Sequence, residues 1–74
     1  MDITPEWFDT WFDAKFPEEE YGPKDIRRIM GIGKSRVYRA IDSGELEAIR
    51  VGTWWLVPRP ALKAWLLAGY NLNN

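Results

Sequence analysis

Residues Pro23-Lys-Asp-Ile-Arg-Arg-Ile-Met-Gly-Ile-Gly-Lys-Ser-Arg-Val-Tyr-Arg-Ala-Ile-Asp-Ser-Gly44 decide the fold. Pro23 suits a first helical position, and Ile26, Ile29 and Met30 recur on one face while Lys24, Arg27 and Arg28 point elsewhere, so a helix is predicted from Pro23 to Met30. Gly31-Ile32-Gly33 interrupts it, with Gly31 placed as a left-handed terminator. A second helix follows from about Lys34 to Ser43 and ends at Gly44. Val37, Ala40 and Ile41 hold its inward spacing; Ser35, Arg39 and Asp42 occupy the opposite face, flanked by Arg36 and Tyr38. Two helices joined by three residues make either a helix-turn-helix or an ordinary helical hairpin. Spacing alone leaves both open.

Downstream, Ala48 to Val51 and Trp54 to Pro58 are β-rich segments separated by Gly52-Thr53, which reads as a hairpin. Ile49 and Val51 are expected on one face, with Trp55 and Val57 sharing a face across from them and Thr53, Trp54 and Leu56 outward. A last helix is predicted from about Pro60 to Leu67, with Leu62, Trp65 and Leu66 inward and Gly69 closing it. A polar tail, residues 70–74, is expected to fray. Upstream, Thr4 is a good N-cap, Pro5 fits the first helical position, and Ile3 and Phe8 stand at the spacing of a hydrophobic staple. Trp7, Phe8, Trp11 and Phe12 form one broad aromatic face. Pro17 disfavours helical geometry at Phe16, so this helix should stop near Ala14 or Lys15, and Glu18-Glu19-Glu20 reads as a solvated connection.

The whole chain, 74 residues, is one small domain near the lower size limit for folding without staples. It has no cysteine and no histidine, which removes disulfides, thiolate metal sites, the commonest metal ligand and the commonest general base. An enzyme is nearly excluded, and no cofactor, metal or small-molecule ligand is expected. Five Trp, three Tyr and three Phe are the expected compensation for small size. Apolar runs are far too short to span a bilayer, and no basic-then-apolar start marks a signal peptide, so a soluble cytoplasmic protein is expected. The net charge of −1 conceals an asymmetry. Residues 1–20 carry seven acids against one base, whereas residues 21–74 carry nine bases against four acids. An acidic arm on a basic body suggests a polyanion partner for the body.

The segment from Tyr21 to Leu46, with its Lys34-Ser-Arg-Val-Tyr-Arg helix start and Ser43-Gly-Glu-Leu corner, continues into Ile49-Arg-Val-Gly, then Trp55-Leu-Val-Pro-Arg and Leu62-Lys-Ala-Trp-Leu. This pattern, over roughly residues 21–67, closely resembles the excisionase family of small MerR-like winged helices from phages and integrative elements. The resemblance implies a mainly α winged helix-turn-helix with a β-hairpin wing, spanning residues 21–69, here carrying an extra N-terminal aromatic helix in the arm of residues 1–20. It implies a recognition helix in the major groove and a wing at the neighbouring minor groove. It also implies a recombination directionality factor that binds double-stranded attachment-site DNA beside an integrase, bends it and favours excision. Adjacent copies of itself on DNA are a further expected partner, and the nucleoid the expected location. Some relatives are transcriptional regulators or help a terminase package DNA, and fold does not choose among these.

Lys34 and Ser35 open the recognition helix, where N–H groups and the dipole favour a phosphate. Arg36 and Arg39 suit base edges, because an Arg fork matches the O6/N7 pair of guanine. Tyr38 reads equally as a DNA contact or as a partly buried ring over the core. Lys24, Arg27 and Arg28 are either positioning contacts to the backbone or a plain solvated face. Arg50 matches the family's wing arginine, and Thr53 and Trp54 complete the wing candidates. The wing departs from the family, whose hairpins usually carry basic residues at the turn and outward positions, whereas Thr53, Trp54 and Leu56 stand here. Two readings of the arm follow: Trp7, Phe8, Trp11 and Phe12 pack over Trp54 and Leu56 as added core, or they form a contact surface for a second copy or an integrase. A third, in which the acidic arm competes with DNA for the basic face, is the weakest. The P-loop look of Gly31-Ile-Gly-Lys-Ser fails because the required first glycine falls at Arg28. Glu45 and Glu47 read as solvated.

Overall fold

The computed structural model describes residues 4–73, except for the side chains of Lys34 and residues 71–73. Four helices and three short strands follow in the order α1 (Glu6–Lys15), β1 (Glu20–Tyr21), α2 (Pro23–Met30), α3 (Lys34–Ser43), β2 (Ile49–Val51), β3 (Trp54–Pro58) and α4 (Arg59–Asn73). The strands form one antiparallel sheet in the order β1-β3-β2.

The central unit forms for the reasons legible in the chain. Gly22 N–H donates to the Asp25 carboxylate at 3.2 Å, fastening the start of α2 behind Pro23. Gly31 terminates α2 at φ 67° and Gly44 terminates α3 at φ 86°, both left-handed conformations that disfavour other residues. Ile26, Val37 and Ala40 from the two helices enter the core, and Leu46 joins them after the Gly44 corner, its N–H donating to Ala40 C=O at 3.0 Å.

Five expectations are corrected. The N-cap of α1 is Pro5, in extended geometry and without a side-chain cap, so Thr4 does not cap the helix; Ile3, the other half of the expected staple, lies outside the described residues. Glu18, Glu19 and Glu20 are exposed as expected, but the segment is more than a connection: Glu20 and Tyr21 pair with Pro58 and Val57 as a third strand, and the buried Tyr21 hydroxyl accepts the Glu18 N–H at 2.6 Å. A two-residue strand has no alternation to read. The hairpin register is Ile49↔Leu56, Arg50↔Trp55 and Val51↔Trp54. Directly opposed residues share a face, so Ile49 and Val51 lie with Trp54 and Leu56, not across from Trp55 and Val57. The two-residue turn Gly52-Thr53 requires this pairing. α4 continues past Leu67 and Gly69 to Asn73, through most of the segment read as a tail.

The fifth correction concerns the arm. Phe8 and Phe12 are buried, but not against the wing: they join Phe16, Tyr21, Val57 and Leu62 in the main core, while Trp54 stays 72% exposed. Phe12 and Phe8 stack at 6.2 Å between centroids, and Phe16 bridges Phe12 (5.2 Å) to Tyr21 (5.1 Å). Half-buried Trp11 packs on the same cluster, and Trp7, 54% exposed, meets Tyr70 of α4 edge-on. The arm is therefore an integral layer of the domain.

Arg59, at the β3–α4 junction, fastens that layer. Its Nε donates to Phe16 C=O at 2.7 Å, its guanidinium lies 4.7 Å above the Phe12 ring and pairs with Asp13, and its backbone N–H donates to Glu19 C=O at 2.9 Å. Lys63 one turn on pairs with Asp9. Asp13 is well exposed, so its ion pair contributes little. The bond to Phe16 C=O and the cation–π stack matter more. Arg59→Ala is expected to cost about 1–3 kcal/mol, because a partly buried carbonyl loses its partner. The melting point should fall by roughly 4–8 °C per kcal/mol lost. A thermal melt within two degrees of wild type would refute this role for Arg59.

Candidate nucleic-acid interface

α3 presents the candidate reading surface. Val37 and Ala40 are buried beneath it, which turns Ser35, Arg36 and Arg39 outward, all three exposed. Tyr38 is half-buried, between its two readings rather than settled as either. Lys34 opens the helix behind Gly33, and the fate of its side chain lies outside the described residues. Arg36 and Arg39, three residues apart, line a broad open groove bordered by Met30 and Ile32 on the α2 side and by Trp65 and Leu66 of α4.

Arg27 and Arg28 border a shallow depression at the interhelical turn with Gly31 and Ile32. Ile32 lines both this depression and the groove. The arginines of α2 and α3 thus flank one turn and form a continuous basic margin around it. Arg28 is held 3.4 Å from Asp25, which offsets part of its charge, yet its side chain remains 76% exposed. Lys24 is also exposed. Acidic groups are sparse here: Asp42 is exposed on α3 itself, and Glu45 lines the groove.

The wing is built differently. Arg50 does not extend from it: its Nε donates to Gly52 C=O at 3.1 Å and its guanidinium lies 5.2 Å from the Trp55 ring, on the face opposite Ile49 and Val51. Thr53 and Trp54 are exposed at the tip. The structure therefore places Arg27 and Arg28 of α2 and Arg36 and Arg39 of α3 on two depressions that share Ile32, and does not bring the wing arginine outward beside Thr53 and Trp54. Sequence reasoning overlooked the groove, because its far wall is completed by Ala68, Gly69 and Tyr70 in the extension of α4 past Leu67. It also overlooked Arg59, whose partners lie 43 and 46 residues away.

A pair of helices joined by a three-residue turn, followed by a β-hairpin and a closing helix, defines a winged helix-turn-helix. A family model described as a helix-turn-helix domain matches residues 20–70. The chain belongs to that family, and with it to the DNA-binding helix-turn-helix proteins. No curated protein and no solved structure matches the chain. Among the described residues, no helix is long and apolar enough to cross a membrane.

Proposed function

We propose that the protein is an excisionase-type recombination directionality factor, which binds double-stranded attachment-site DNA beside an integrase and bends it towards excision. The observation that carries DNA reading is the exposed Arg36–Arg39 pair on α3, continuous with Arg27 and Arg28 around the Ile32 turn. The likeness of Lys34-Ser-Arg-Val-Tyr-Arg, Ser43-Gly-Glu-Leu and Ile49-Arg-Val-Gly to the excisionases supports the narrower role. In this reading Arg36 and Arg39 address base edges, and Tyr38 lies at their margin. Lys34 and Ser35 seat a phosphate at the start of α3, and Lys24, Arg27 and Arg28 position the backbone. Arg50 and Thr53 reach DNA from the wing once the guanidinium leaves Trp55.

In this reading the protein acts on the DNA by binding alone. Its work is to occupy a sequence and hold the duplex in a shape, with phosphate neutralisation supplying affinity and α3 supplying register.

Fluorescence anisotropy tests the reading. One duplex is taken from DNA flanking the gene and any neighbouring integrase attachment site, and the other is scrambled, each at several salt concentrations. Tighter binding to the flanking duplex is expected. If four or five cations each neutralise a phosphate, log affinity should fall with log salt at a slope of about −4. Absence of binding to either duplex at low salt would overturn the DNA assignment. Equal binding to both would remove the sequence-specific role.

A further inference from the structure

We propose that the outer face of the wing is a self-docking surface through which two copies of this chain pair about a twofold axis. Ile49 is 54% exposed, Val51 52% and Trp54 72%, and the register places all three on one face with half-buried Leu56. They are three of the four large hydrophobic residues most exposed among those described. A contiguous apolar face of this kind marks an interaction site, in contrast to scattered exposed residues.

Charge decides what fits. No charged side chain of β2 or β3 lies on this face, because Arg50 alternates to the other side and is engaged there with Gly52 C=O and Trp55. A phosphate backbone finds no cation on it, and a minor-groove contact usually brings Arg or Lys alongside any apolar wedge. A protein surface suits it better. A second copy supplies a matching surface: the same flat hairpin without a charge of its own, the Glu20 of β1 standing beside Pro58 at the far edge of the sheet, away from the Trp54 end. Two such faces stack as sheets do, about 10 Å apart, with Trp54 of each copy over the Val51–Ile49 strip of the other. The apolar groove beside α3 is a poorer mate, because Arg36 and Arg39 line it and insertion of a wing there would compete with DNA.

Area sets the strength. By side-chain size and exposure, roughly 350 Å² of apolar surface is open on the face, about half of what each partner contributes to a standard stable interface. The free protein is therefore a monomer at ordinary concentrations and pairs weakly. Two copies on neighbouring half-sites experience a millimolar effective concentration, at which such a contact becomes populated. An isologous pair of this kind matches inverted half-sites rather than direct ones. That last consequence rests on the DNA reading; the pairing itself does not.

The test is made without DNA. The full chain is examined by sedimentation equilibrium up to about 1 mM, beside Ile49→Lys, which sets like charges against each other on a half-exposed strand position. A reversible monomer–dimer equilibrium is expected for wild type near the top of this range, with dissociation at least tenfold weaker in Ile49→Lys. Because the chain has no cysteine, Val51→Cys gives a single attachment point. A short bis-maleimide should join two copies through it, whereas Asp42→Cys, exposed on α3 and outside the sheet, should not. Circular dichroism confirms that each variant folds. A wild type monomeric throughout, or a dimer equally strong in Ile49→Lys, overturns the proposal. Failure of DNA binding leaves this result standing, so the two readings fail separately.

Discussion

Phe12→Ala should remove between about a quarter of the stability of this protein and all of it. Phe12 is fully buried, stacked on Phe8, tilted against Phe16 and covered by the Arg59 guanidinium, with the Lys63 ammonium 5.8 Å from its ring. Truncating a buried phenylalanine costs about 3–5 kcal/mol, the lost transfer energy plus the cavity left behind. A domain of this length has only about 4–11 kcal/mol to lose, at the usual stability per residue. The melting point should fall by more than about 12 °C at the lower end of that cost. Deleting residues 1–17 removes Phe8, Phe12 and Phe16 together and should leave no cooperative unfolding transition. Trp7→Ala, at a half-exposed position, should cost under about 1 kcal/mol. The measurement is a thermal melt followed by circular dichroism. A Phe12→Ala midpoint within a few degrees of wild type would mean that the arm is an appendage, and its place in the core would have to be abandoned.

The second large effect is on DNA. Arg39→Ala should weaken binding to the true site by about 1–3 kcal/mol, roughly five- to 150-fold, and leave affinity for a scrambled duplex much less changed. The residue is exposed on α3, one helical turn from Arg36 and above the buried Val37 and Ala40, so its removal leaves the core untouched. Arg28→Ala should behave differently. It flanks the turn from α2 and is part-neutralised by Asp25, so it should weaken all sequences alike, modestly, and make the salt slope shallower by about one. Anisotropy titrations of both variants on both duplexes separate these roles. Equal losses for Arg39→Ala on true and scrambled duplexes would make Arg39 a phosphate contact, and base reading would then fall to Arg36 alone.

The two predictions rest on different layers of the molecule, and the division explains how an acidic chain can serve a polyanion. The arm of residues 1–20 carries seven of the eleven acids, and two of them, Asp9 and Asp13 of α1, are turned onto Lys63 and Arg59 of α4. The arginines of α2 and α3 gather around the Ile32 turn. Whole-chain charge therefore says little about this surface. The arm holds the domain together through Phe8, Phe12 and Phe16 more than through its charge.

By itself the sequence determined the parts whose causes are local. Pro23, Gly31 and Gly44 set the bounds of α2 and α3 through backbone preference, and the spacing of Val37 and Ala40 turned Ser35 and Arg39 outward. The turn Gly52-Thr53 marked the hairpin. It also implied the register, which a two-residue turn dictates, although the alternation of apolar residues pointed to the opposite face. That alternation misled because every position from Ile49 to Val57 except Arg50, Gly52 and Thr53 is apolar, leaving no polar side to anchor the assignment. Only the tertiary structure decided where the aromatic arm goes. A helix with four aromatic residues on one face can bury them against any apolar surface of sufficient size. The choice of the main core over the wing depended on Phe16, β1 and the bonds of Arg59 across more than forty residues, none of which leaves a periodic trace in sequence. Burying the arm there is also what leaves Trp54, Ile49 and Val51 uncovered, because hydrophobic attraction is non-directional and the first layer to close takes the available partner.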